Sequence, residues 1–143
     1  MLKNHKVNII KIETAGGKHI STFKIIFEDS ELEVLGEFLT DIGYSIDYYI
    51  EQYQYFLNET NKEFLIENKF GGYWSYENSS RRYFTLFALE SGIFVVVAED
   101  NEKIILENEY KSNSKTLTYD YIEFGLILLE WKEILTKNEV NNA

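Results

Sequence analysis

A chain of 143 residues, 45% hydrophobic and 27% charged, has the size and composition of one folded domain and excludes a disordered segment. A formal charge of −10 and a pI near 4.7 argue against nucleic acid or an anionic membrane as partner and favour a basic protein. The absence of Cys excludes disulfides, thiolate nucleophiles and cysteine-bound zinc, and it fits a cytoplasmic setting.

The opening Met1-Leu-Lys-Asn-His-Lys-Val has no apolar core of a signal peptide and leads directly into a β-branched, roughly alternating run, Val7 to Glu13. Ile20 to Glu28 reads as a second strand, paired with the first around the turn at Ala15-Gly16-Gly17-Lys18. Residues 31–42 carry two signals. Leu32 and Val34 alternate with Glu31 and Glu33 like a strand, and Ser30 with Glu33 forms a capping box like a helix start. The strand is the favoured reading. Ser45 then caps a helix to Asn58, with Ile46, Tyr49, Ile50, Tyr53 and Leu57 at helical spacing and Asp47 in the first turn.

Glu63 to Phe70 is a short element of open type, followed by Gly71-Gly72 and an aromatic run, Tyr73 to Tyr76. Three strands in a meander come next, at Tyr83 to Leu89, Ile93 to Ala98 and Lys103 to Tyr110, joined by Glu90-Ser91-Gly92 and Asp100-Asn101. After a loop at Lys111 to Lys115, Thr118 caps a helix running to about Lys137, with Tyr121, Phe124, Leu128, Trp131 and Leu135 on its inner stripe. Asn138 to Ala143 reads as a frayed end. The expected fold is therefore α+β: one domain over 1–143, a central antiparallel sheet, and main helices at about 46–58 and 119–137, with Trp131 buried.

Catalytic and metal signatures are missing from the pattern. His5 and His19 stand apart and fit neither a triad nor a metal spacing. Gly16-Gly17-Lys18 lacks the earlier Gly and the following Ser or Thr of a phosphate-binding loop. The acidic turn at Glu99, Asp100 and Glu102 lacks the Gly of a calcium loop. The reading is a non-enzyme without metal or cofactor. The densest run of carboxylates, Glu99, Asp100, Glu102, Glu107 and Glu109, with Tyr110 as an adjoining anchor, is the first candidate for a partner surface. Glu28-Asp29-Ser30-Glu31 with Glu33 is the second. Arg81 and Arg82, the only arginines, read as a strand end beside a carboxylate.

The segment from Glu33 to Leu57 resembles the immunity proteins of bacterial contact-dependent growth inhibition and related toxin systems. An extended run leads to an aromatic, then to a Ser-Ile-Asp-x-Tyr entry into a helix with Gln and an aromatic beyond. Tyr44, Ser45, Ile46, Asp47, Tyr49, Gln52 and Tyr53 stand at those places. The resemblance implies a cytoplasmic, non-catalytic inhibitor that blocks the C-terminal domain of a cognate toxin, frequently a nuclease. The alternative is an acidic regulatory or scaffold module that binds a different protein through the same face.

Overall fold

The computed structural model describes residues 2–13, 15–17, 19–111 and 115–141, with the backbone alone described at 11–13, 19–21 and 140–141. Strands β1 (His5–Glu13) and β2 (His19–Phe27) form an antiparallel hairpin, in which His5 faces Phe27 and Glu13 faces His19. Gly17 supplies the positive φ of +78° that its turn needs, and Lys18, assigned to that turn from sequence, lies outside the described residues. A second sheet holds β3 (Tyr83–Ala88), β4 (Ile93–Ala98), β5 (Lys103–Asn108) and β6 (Leu117–Tyr119) in consecutive antiparallel order. The helices are α1 (Glu33–Ile42), α2 (Ile46–Asn58), α3 (Lys62–Lys69) and α4 (Tyr121–Asn141). This is the α+β class and the meander expected.

Residues 31–42 overturn the favoured strand reading. A short 3₁₀ turn at Ser30–Leu32 runs into α1, because Val34, Leu35, Phe38, Leu39 and Ile42 recur at helical spacing and all five are buried. The alternation of Leu32 and Val34 lasts too few residues to compete. Asp29, one residue before the expected cap, accepts the Glu31 N–H at 2.9 Å.

Other boundaries also move. Ser45 makes no side-chain capping bond, since a 3₁₀ turn at Gly43–Ser45 carries α1 directly into α2. Leu57, placed on the inner stripe, is exposed, and Phe56 is buried in its stead. The open segment at 63–70 is α3, capped by Asn61 Oδ1 on the Phe64 N–H at 3.2 Å. Thr118 belongs to β6. The final helix is capped by Asp120, whose carboxylate accepts the Glu123 N–H at 2.7 Å while Glu123 Oε1 accepts the Asp120 N–H at 3.2 Å. Helix α4 continues past Lys137 to Asn141, so the expected fraying from Asn138 does not occur over those residues. Strand β5 stops at Asn108 rather than Tyr110, and residues 112–114 of the expected loop lie outside the described residues.

One buried cluster joins both sheets and all four helices, with Phe38, Leu39, Tyr53, Phe56, Val97 and Trp131 at its centre. Trp131 is fully buried and its indole Nε1–H donates to the Leu39 carbonyl at 2.7 Å, which ties α4 to α1. Among the described residues no helix is long and apolar enough to cross a membrane.

Candidate protein-binding groove

Because α1 buries one side, its polar residues are confined to the other. Glu33, Glu37 and Asp41 stand at i, i+4 and i+8, one above the next. Like charges at this spacing destabilise a helix, so each needs compensation from outside it. The chain just after β5 supplies most of it. Lys111 Nζ lies 3.0 Å from Glu37 Oε1 and 3.5 Å from Glu33 Oε1, and Asn108 Nδ2 donates to Glu37 Oε2 at 3.2 Å. At the far end of the row Ser91, in the β3–β4 turn, donates to Asp41 Oδ2 at 2.5 Å. Burial pushes the Asp41 carboxyl above its ordinary range; the Ser91 bond opposes this and the Glu37 charge adds to it. Lys111 is raised by its hydrogen bond to Glu37, by the Glu37 charge and by Glu33.

These carboxylates line a groove of about 580 Å³ between α1 and the β1–β2 hairpin, whose opposite wall includes Ile10, Lys24 and Ile26. Two features of α1 set the groove's depth. Gly36 lets the helix sit directly on β2, where a Cβ would come 3.1 Å from the Ile25 carbonyl oxygen. Thr40 Oγ1 accepts the Ile25 N–H at 3.1 Å and so satisfies the edge of β2 that faces away from β1. Asp29 marks the mouth. The walls thus hold Asp29, Glu33, Glu37 and Asp41 against two cations, Lys24 and Lys111.

The six residues first singled out from sequence do not form one strip. Glu99 and Asp100 sit in the β4–β5 turn and are each paired with an arginine. Arg82 grips Glu99 with two bonds of 2.5 Å, and Arg81 Nε lies 2.8 Å from Asp100 Oδ1. The Arg82 bond holds the Glu99 carboxyl below its ordinary range, and the Arg82 guanidinium also covers the Tyr73 ring at 3.9 Å. The expected role of the two arginines, a strand end beside a carboxylate, is what the structure has. Glu102 is exposed with φ +53° in the same turn.

Glu107 and Glu109 lie toward the other end of β5. Glu107 faces outward beside Phe94, its cross-strand partner, and burial followed by the Glu109 charge raises its carboxyl. Tyr110 is 74% exposed, and its ring covers Gly92 so closely that a Cβ there would collide with it. The buried Asn108 connects Tyr110 to the groove, accepting the Tyr110 N–H at 3.0 Å on Oδ1 while its Nδ2 serves Glu37. Of the first set only Tyr110 is therefore linked to a groove residue, Glu37 through Asn108, and the second candidate stretch lines the groove with Asp29, Ser30 and Glu33.

Glu37, Asp41, Ser91, Asn108 and Lys111 escaped the sequence reading. The signal available was the Glu33-x₃-Glu37-x₃-Asp41 spacing, which has meaning only on a helix. Among the described residues no cluster of three or more His, Asp or Glu side chains is arranged to hold a metal ion. Comparison of the chain with protein-family models, with curated proteins and with solved structures finds no match.

Proposed function

We propose that this chain is a non-catalytic inhibitor of the immunity-protein kind, which neutralises a cognate toxin domain by taking a basic segment of it into the α1 groove. The carrying observation is the row Glu33, Glu37 and Asp41 along one wall of the groove, in which Lys111 is the only cation paired with the row among the described residues and reaches Glu33 and Glu37. A partner's Arg or Lys entering there meets two carboxylates, Glu37 and Asp41, that are already half-buried, so less hydration is lost on binding. Lys111 occupies the position that such a cation takes. Tyr110, exposed and next in the chain to the groove residue Lys111, supplies a large aromatic surface at low entropy cost, the residue type that anchors interfaces. The net charge of −10 steers a basic domain toward the chain before contact.

The test is growth protection. The chain is co-expressed with candidate toxin domains from adjacent reading frames, and survival is compared for wild type, Glu33→Lys/Glu37→Lys and Glu99→Lys/Asp100→Lys. The proposal requires protection by the wild type, its loss in the first variant and its retention in the second. Absence of protection by the wild type contradicts the inhibitor reading, and equal protection by both variants contradicts the groove.

A further inference from the structure

The charge of the chain is divided sharply along its length. Residues 1–27 hold five lysines against one glutamate, whereas the remaining 116 residues hold nine cations against 23 carboxylates. The positive part is the β1–β2 hairpin. On its outer face Lys6 stands opposite Ile26 and Asn8 opposite Lys24, all four exposed. A basic ribbon on an acidic body calls for a partner other than the one suited to the groove.

The backbone of β1 specifies how that partner binds. The Glu28 N–H donates to the Asn4 carbonyl at 2.9 Å in the register that also pairs His5 with Phe27, so the even residues of β1 exchange hydrogen bonds with β2. The odd residues, among them His5, Val7 and Ile9, turn their N–H and C=O groups the other way. The opposite strand follows the same alternation, because Ile25, the partner of Val7, directs its N–H away from β1 to Thr40. On β2 that outer edge is covered by α1. Among the described residues no further strand is paired on β1, and Ile9 is 47% exposed.

We infer that the open edge of β1 accepts an extended segment of a partner protein as a third, antiparallel strand, and that this segment alternates acidic with apolar residues. The odd residues of β1 provide the hydrogen-bond ladder, as in other cases of strand addition. Side chains of the incoming strand that fall on the outer face meet Lys6 in the positive field of the hairpin, which selects Asp and Glu. Those on the inner face pack beside Val7 and Ile9, which selects apolar residues. A second copy of this chain is a poor occupant, since two ribbons of the same positive sign would be brought edge to edge; lysines on edge strands act against such self-pairing. The edge has the opposite polarity to the α1 wall of the groove, and Lys24 and Ile26, on the same hairpin face as Lys6, also line that groove.

The test uses a fluorescent nonapeptide alternating Glu and Val, its Lys and Val counterpart, and the acidic peptide with alternate backbone nitrogens methylated, each titrated against the full chain. The acidic peptide is expected to bind at least about tenfold more tightly than the basic one, and to lose about tenfold or more between low and high salt. Ile9→Pro removes an N–H that points away from β2, so it abolishes binding while far-UV circular dichroism stays unchanged; Lys6→Glu weakens the acidic peptide selectively. Equal binding of the two peptides overturns the inference, as does failure of the acidic peptide to bind or dimerisation of the chain through β1. Should Ile9→Pro disturb the fold, the methylated peptide decides the matter, because undiminished binding by it shows that no strand is added.

Discussion

The two ends of the four-stranded sheet carry carboxylates of opposite circumstance. At the β4–β5 turn Glu99 and Asp100 each have an arginine, Arg82 and Arg81, and Arg82 holds Glu99 with two donors of its guanidinium while lying 3.7 Å from Glu63. Along the α1 groove, at the other end, Glu33 and Glu37 share Lys111 and Asp41 is bonded, among the described residues, by the Ser91 hydroxyl. The sequence shows more crowding at the first end than at the second. Crowding in sequence measures neighbours along the chain, whereas available negative charge depends on which cations the fold brings across. Arg81 and Arg82 stand 17 to 19 residues before their partners and arrive by the pairing of β3 with β4.

The contrast holds only if α1 is a fixed wall, and the largest predicted effect probes that support. Trp131→Ala removes a fully buried indole and its bond to Leu39, and should cost about 3–5 kcal/mol in denaturant unfolding. Loss of the groove's binding should accompany it even though no groove residue is changed. Next in size is Glu37→Lys, which places a cation among Glu37's former partners, Lys111 and the Asn108 amide. It should cost about 2–5 kcal/mol of affinity for a basic partner. Gly36→Val pushes branched methyl groups against the Ile25 carbonyl and should destabilise by about 1–3 kcal/mol, read by thermal melting.

Smaller effects separate the two ends by charge alone. Lys111→Met should tighten binding of a basic partner by vacating the position the partner's cation needs, and isothermal titration should show it. Arg82→Ala, at the other end, should leave affinity for the same partner unreduced. The pH dependence has a definite sign. Burial raises the Asp41 carboxyl in the folded chain, so its contribution to stability is present below its ordinary range and is lost as pH rises through the raised value. Asp41→Asn should therefore raise the melting temperature near neutral pH, and the gain should vanish in acid. A partner's cation favours the ionised form, so binding should release a proton and strengthen as pH rises over the same interval.

Much of the frame was legible because its patterns are long. The hairpin, the meander and the buried Trp131 each rest on several residues of consistent period and a turn that fits them. The groove was not legible, for reasons visible in α1 itself. Leu32 and Val34 imitate a strand over four residues, and that reading scatters Glu33, Glu37 and Asp41 instead of aligning them. Asn108 and Ser91 gave no signal at all, since their role comes from strands that end beside α1. Asp120 with Glu123 was a capping box in plain view, displaced by Thr118 two residues earlier.

The central claim is that the α1 groove, and not the β4–β5 turn, receives the partner. It is tested most directly by measuring the affinity of a basic partner domain for Glu33→Lys/Glu37→Lys and for Glu99→Lys/Asp100→Lys side by side at two salt concentrations. The prediction is a loss of about a hundredfold or more in the first variant with a flattened salt dependence, and near-wild-type affinity in the second. A loss confined to the second variant would contradict it.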